Sequence, residues 1–207
     1  MTTNHPVLYG RLLSPYVRRV AVTLNLYGIE FEQKVVSAVG DEVEREAINP
    51  VGRVPAFQLS SGEVLIDSAA ILDHLDELAG KEKSLMPLAG PARRYALRRL
   101  AIATGAIDRA MTANAERRRP ATQHDAARLD RLLRQARQGF EELDRDLAGK
   151  DFFDGERLGQ PDVTSLIGFA FVNHIFPGTL PDKRFPNLAR RSKACELTLP
   201  FGAAKIG

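Results

Sequence analysis

The chain has 207 residues, of which 44% are hydrophobic and 27% charged, with a formal net charge of +3; this is enough apolar content for one large domain or two modest ones. The longest apolar run, Leu166 to Val172, is interrupted by Gly168 and falls far short of the roughly 20 residues needed to span a bilayer, so no membrane association is expected. The single cysteine, Cys195, rules out an intramolecular disulfide framework, and with no basic-then-apolar leader at the N-terminus the expectation is a cytoplasmic protein.

The first eighty residues alternate strand and helix signals. Val7 to Gly10 is a short apolar strand. Ser14 can cap a helix that Pro15 opens. Val17, Val20, Ala21 and Leu24 then recur at the spacing of one helical face, and Gly28 is a plausible stop. Phe31 to Val36 reads as a second strand, and Asp41 to Ala47 as a short polar helix closed by Asn49-Pro50. Val54 to Leu59 and Val64 to Ile66, joined by Ser60-Ser61-Gly62-Glu63, make a hairpin. Asp67 or Ser68 caps a further helix with Ile71, Leu72, Leu75 and Leu78 inward and Gly80 at its end. The order β-α-β-α-β-β-α matches a thioredoxin-like sheet with helices on both faces.

Residues 81–92 are rich in charge, proline and glycine and read as a linker. The remainder, 93–207, carries only helical patterns. The first runs from Arg93 to Arg118, with Leu97, Leu100, Ala101, Thr104 and Ile107 or Asp108 on one face. The second, Ala121 to Leu147, turns Leu129, Leu132, Leu133, Ala136, Phe140, Leu143 and Leu147 inward. The third, Asp162 to His174, is apolar on all sides and therefore central. The last runs from Pro186 to Leu197. Many arginines lie in this half, but acids interrupt them, with Asp130–Arg134 and Arg137–Glu141 at i,i+4 spacing. A solvated helix face is expected, and no nucleic-acid partner. His5, His74, His124 and His174 have no metal-ligand spacing, so no metal is expected; His174, on the apolar helix, reads as a core histidine and Cys195 as a buried, inert thiol.

Three short segments carry chemistry. Ser14-Pro15 places a hydroxyl at a helix N-terminus, where it can donate to a thiolate and lower the pKa of the parent thiol. No Gly-x-Ser-x-Gly elbow or triad accompanies it, so a serine-hydrolase role is disfavoured. Val54-Pro55 opens a strand. Such a proline can be cis, leaving the Val54 N–H and C=O outward to pair with an extended peptide, although a plain edge proline is the commoner case. At Asp67-Ser68 the hydroxyl and first-turn N–H groups can take a carboxylate while Asp67 takes an ammonium, the two charges of an amino-acid head group. Each segment alone has an ordinary explanation as a cap or a strand start.

Together, in this order, the three resemble the glutathione transferase family. Ser14-Pro15-Tyr16-Val17-Arg18-Arg19-Val20 is similar to its serine-type first helix, Arg53-Val54-Pro55-Ala56-Phe57 to its cis-proline segment, and Asp67-Ser68-Ala69-Ala70-Ile71-Leu72 to its acid-serine helix start. The resemblance implies a thioredoxin-like glutathione-binding domain over residues 1–80, a linker over 81–92 and an all-helical domain over 93–207. It implies that Ser14 stabilises the glutathione thiolate, that Val54 pairs its backbone with the cysteinyl part, that Asp67 and Ser68 bind the γ-glutamyl amine and carboxylate, and that Arg53 lies near the peptide. It further implies a homodimer, glutathione as co-substrate with no other cofactor, and a small, mostly apolar electrophile as second substrate; by helix position Tyr16, Ile107 and Phe171 can line its pocket. Arg19 reads as a structural ion-pair arginine. Two departures stand out. Ser37-Ala38-Val39-Gly40-Asp41 lacks the basic residue many relatives carry there, and Gly159 stands where relatives place Ser or Thr three residues before the buried aspartate, here Asp162. A different class of function keeps the fold without turnover, as a binding or scaffold protein; isomerisation, dehalogenation and peroxide reduction are further glutathione chemistries.

Overall fold

The computed structural model describes residues 5–36 and 42–206. The base-free stretch Ser37–Asp41 lies outside the described residues. Two compact units are present, one of Met1–Ser84 with Cys195–Gly207 and one of Leu85–Ala194.

The first unit follows the predicted order: β1 (Val7–Tyr9), α1 (Pro15–Tyr27), β2 (Glu32–Lys34), α2 (Glu42–Ile48), β3 (Ala56–Gln58), β4 (Val64–Ile66) and α3 (Ser68–Ala79). The second and third strands are shorter than predicted because their partner, β1, offers only three residues to pair with. The sheet runs β2-β1-β3-β4, with β1 and β2 parallel and the other neighbours antiparallel. Leu8 and Phe57 stand opposite each other in register. They are enclosed together with Val17, Val20, Ala21 and Leu24 of α1 and Ile71, Leu72 and Leu75 of α3, which pack on one another and on the sheet. On the other face Tyr9 and Ala56 meet Ile48 and Asn49, at the end of α2, across a narrow cavity. Leu78, predicted inward, is 61% exposed, because α3 has run past the short sheet by its last turn.

Helix α1 stops where Gly28 adopts φ +67°, its N–H returning to the Leu24 and Asn25 carbonyls; a left-handed residue after a helix is where glycine has no Cβ penalty. The same helix is tied to the C-terminus of the chain. Arg18 is 1% exposed. Its Nη2 donates to both carboxylate oxygens of Glu196, at 2.7 and 2.6 Å, and its Nε donates to the Ala204 carbonyl at 2.7 Å. Asn25 adds a bond to the Pro200 carbonyl. These contacts seat α8 (Leu199–Gly202) on α1. They are the physical reason why residues 195–207 group with the sheet and not with the helical unit.

The second unit is built on α4 (Gly90–Arg117), α5 (Ala126–Asp146) and α6 (Gln160–Ile175), with α7 (Pro186–Glu196) closing it. No helix among the described residues is long and apolar enough to cross a membrane. Helix α6 is central as predicted, buried from Gln160 to Phe169. The inward face of α4 differs from the prediction. Leu97, Ala101 and Asp108 face outward, and the buried positions are Ala96, Ala103, Ala106, Ile107, Ala110 and Ala113. Alanines line that face because α4 packs against both α5 and α6. A Cβ on Gly139 of α5 would lie 2.9 Å from that of Ala106, and one on Gly168 of α6 would lie 2.8 Å from Ile107. Ile107 is therefore a packing residue of this unit. Cys195 is buried. His174, expected in the core, is exposed: the last turn of α6 turns Val172 and Ile175 inward, Ile175 packing against Ala113, Leu132 and Phe176, and leaves His174 on the solvated side. The i,i+4 pairs predicted within α5 do not form among the described residues. The acids instead pair across elements: Arg98–Glu142 at 2.8 Å, Arg99–Asp146 at 2.8 Å, and Arg184 with Glu141.

Asp162 is 2% exposed and accepts N–H groups from Phe153 and Gly159, both at 2.9 Å. Gly159 has no side chain to return the bond, so only the aspartate's half of a capping box is made. Burial pushes the Asp162 carboxyl up to about 6, against the opposing pull of those two N–H bonds.

Two stability predictions follow from these buried charges. Glu196→Ala strands the Arg18 guanidinium with one carbonyl and is expected to cost about 3 kcal/mol, the lower end for a broken buried pair because Glu196 is partly solvated. Replacing both residues with leucine recovers most of that loss, and urea unfolding followed by circular dichroism checks both. Asp162 is raised above its ordinary value, so between about pH 4 and pH 6 the folded chain binds more protons than the unfolded one. Its contribution is present below that window and lost as pH rises through it, by about 2–3 kcal/mol. The difference in melting temperature between the parent protein and Asp162→Asn should therefore grow in favour of the parent as pH falls from 7 to 4.5.

Candidate functional site

One rung of the sheet organises the site. Tyr9 at the end of β1 pairs with Ala56 at the start of β3, and Ala56 pairs with Ile66 at the end of β4. The spacing of strands puts these three residues within about 10 Å of one another. The chain leaves Tyr9 toward Ser14, arrives at Ala56 from Val54-Pro55 and leaves Ile66 into Asp67-Ser68. All three segments singled out in the sequence thus lie along one edge, and the N-termini of α1 and α3 open onto it.

Ser14 is half-buried and caps α1, its oxygen accepting the Val17 N–H at a long 3.4 Å. Among the described residues the hydroxyl hydrogen has no acceptor. The Val54–Pro55 peptide is cis. Neither the N–H nor the C=O of Val54 is bonded among the described residues, although Pro55, Ala56 and Phe57 behind it are buried. The segment is clamped from α2. Asn49, 4% exposed, donates Nδ2 to the Arg53 carbonyl at 2.8 Å and accepts the Val51 N–H at 3.0 Å, while Arg45 Nε reaches the Gly52 carbonyl at 3.0 Å. Arg53 itself is exposed, and its guanidinium has no partner among the described residues.

Asp67 caps α3, accepting the Ala69 N–H at 2.9 Å, and its carboxylate is exposed. Ser68, 1% exposed, accepts both Nη2 and Nε of Arg19, at 2.7 and 3.2 Å, and donates to Asp67 Oδ1 at 3.3 Å. Arg19 is 4% exposed and lies over the Tyr16 ring, 5.5 Å from its centroid. The structure therefore joins the Ser14 helix to the Asp67-Ser68 helix through Arg19. Gly10 joins the Ser14 helix to Val54. At φ +127° a Cβ there would stand 2.5 Å from Val17 Cγ2 and 3.0 Å from Val54 Cβ. Asn49 and Gly10 were not singled out in the sequence, although the Asn-Pro pair and a glycine ending a strand were signals available for both.

The fold defines a class: a thioredoxin-like sheet unit with a helical unit. Residues 8–83 match the family model of the glutathione S-transferase N-terminal domain. The chain is 40% identical over 74 residues to maleylacetoacetate isomerase of Pseudomonas aeruginosa and 41% identical over 77 residues to a glutathione S-transferase of Triticum aestivum. These matches take in 33% and 37% of this chain and 34% and 35% of the relatives, so the chain spans about a third of the length of either. In three dimensions the chain resembles a glutathione S-transferase of Methylobacillus flagellatus, solved with glutathione bound, at TM-score 0.89 and 26% identity, covering 98% of this chain and 100% of that one. Residues 8–83 are thus similar to a glutathione S-transferase N-terminal domain, and the chain as a whole shares its fold with a solved glutathione S-transferase.

Gly10→Ala tests how tightly the edge is built. The added methyl overlaps Val17 and Val54 in a backbone conformation that a side chain strains, so a loss of about 2–5 kcal/mol is expected. Thermal melts measure the loss, and hydrogen exchange should show loosened amides in β1 and over residues 51–54.

Proposed function

We propose that the protein is a cytoplasmic, homodimeric glutathione S-transferase of the serine type, in which the Ser14 hydroxyl holds the glutathione sulfur as a thiolate. The thiolate attacks an electrophilic carbon of a small, mostly apolar second substrate. A carbon–sulfur bond forms, the leaving group departs with its electron pair, and the thiol proton has already passed to solvent. The reading assigns glutathione binding to the domain over residues 1–80. Val54 offers its unpaired N–H and C=O to the cysteinyl unit, Asp67 pairs with the γ-glutamyl ammonium, Ser68 and the first turn of α3 take its carboxylate, and Arg53 lies near the peptide. The chemistry needs glutathione as co-substrate and no further cofactor, and conjugation of reactive electrophiles is a detoxifying reaction.

The observation that carries the reading is the Ser14 hydroxyl itself: a hydrogen with no acceptor among the described residues, at a helix N-terminus, on the same sheet edge as Val54 and Asp67-Ser68. A neutral donor and a helix terminus both favour the sulfur anion over the thiol. The glutathione-bound relative from Methylobacillus flagellatus supports the ligand. A dimer is supported by apolar side chains left outward on an edge strand and its neighbour, Val64, Ile66 and Leu78; light scattering after gel filtration reads it directly.

Ultraviolet titration of bound glutathione tests the central step. Ser14→Ala removes one hydrogen bond to an anion, so the bound thiol should ionise about 1–2 pH units higher, with turnover of an aryl halide falling at neutral pH. An ionisation curve that does not move would overturn the role of Ser14. Retention on immobilised glutathione without turnover of any electrophile would favour the scaffold reading.

A further inference from the structure

Among the side chains behind the edge, Arg19 makes a contact that goes beyond the structural role expected of it. Its guanidinium is buried, it belongs to the helix that Ser14 caps, and two of its N–H groups converge on one oxygen, that of Ser68. A serine oxygen has two lone pairs and one hydrogen. Two donated N–H groups occupy the lone pairs, so the hydroxyl can only donate. Its present acceptor is Asp67 Oδ1, at a long 3.3 Å. Asp67 is exposed and already holds the Ala69 N–H at 2.9 Å. The Ser68 hydrogen is therefore aimed at the N-terminus of α3 and weakly engaged there. Without Arg19 the hydroxyl could turn inward or act as an acceptor, and an acceptor repels a carboxylate.

We infer that Arg19 is a positioning residue for ligand recognition: by filling both lone pairs of Ser68 it commits that hydroxyl to donating, and so makes the start of α3 selective for a ligand carboxylate beside the ammonium that Asp67 takes. The inference rests on the glutathione reading and adds the device that sets the polarity of its head-group site. Arg19 does not touch the ligand. The buried cation also biases the pocket toward an anion, and the Tyr16 ring beneath it restrains the guanidinium plane.

The test compares glutathione with an analogue lacking the α-carboxylate of its γ-glutamyl unit, each titrated calorimetrically into the intact protein. A hydrogen bond to a charged group corresponds to roughly 10–100-fold in affinity, so the parent protein should prefer glutathione by at least about 10-fold. Arg19→Met keeps the length of the side chain and removes its donors, and should bring that preference close to one. Ser68→Ala should do the same, and the double variant should discriminate no less than Ser68→Ala alone. A merely structural arginine would lower the affinity for both ligands together and leave their ratio unchanged, and that result overturns the inference. Should Arg19→Met fail to fold, Arg19→Lys keeps the cation without the fork; a preference reduced several-fold supports the inference and an unchanged one overturns it. If the parent protein binds glutathione without preferring it to the analogue, the inference fails and the ligand stands. If it binds neither, the glutathione reading itself fails.

Discussion

The pairing of Tyr9 with Ala56 and of Ala56 with Ile66 is the constraint on which the site depends. Antiparallel pairing brings the start of one strand level with the end of its neighbour. A segment leaving β1, a segment entering β3 and a segment leaving β4 therefore emerge side by side. A slip of one residue would carry Leu8 and Phe57 from the enclosed face to the other. Burial of those two side chains thus holds the register, and the register holds the site. Because the hydrophobic core and the chemical edge share one rung, stability and function cannot be separated at Gly10, Pro55 or Ala56.

Much of the first unit was legible in the residues. Alternating strand and helix signals, a Ser-Pro helix start, a Val-Pro strand start and an Asp-Ser cap lie close together in sequence and obey local rules, and the structure places them on one edge. The contacts that hold the edge together were not legible. Arg18 reaches Glu196, 178 residues away, and Arg19 reaches Ser68, 49 residues away. Two adjacent arginines on a helix look alike in a sequence; that one reaches the Glu196 carboxylate and the other the Ser68 hydroxyl follows only from what the fold brings opposite each.

In the helical unit the errors share one cause. The large apolar residues of α4 predict its buried face, yet that helix turns alanines inward because it lies close to both α5 and α6. Close approach of helices selects for small side chains, whereas an amphipathic pattern is weighted by large ones. Helix α5 buries mostly large residues, Leu132, Phe140 and Leu143 with Ala136, on the face its sequence pattern predicts. Acids such as Asp144 also have distant duties. Its Oδ1 accepts the N–H groups of Asn187 and Leu188 at the start of α7, a cap supplied from another helix, which no local motif encodes.

A serine hydroxyl is a weak instrument for holding a sulfur anion. It carries no charge and brings no proton acceptor, so its value depends on being in place before the ligand arrives. In the proposed reading, the buried contacts of α1 serve that placement. Helix α1 is fastened on one side by Arg18 to the C-terminal segment and on another by Arg19 to α3. Gly28 closes its far end, and Gly10 lets its first turn approach Val54 without a side chain between them. Ser14 Oγ only accepts the Val17 N–H, at 3.4 Å, so in the proposed reading no bond is broken when its hydrogen turns to a ligand. A rigid helix carrying a loosely engaged hydroxyl is the arrangement that electrostatic preorganisation asks of a neutral donor. The same division recurs at α3, where a buried Arg19 holds Ser68 firmly from behind while the hydrogen in front is held only loosely.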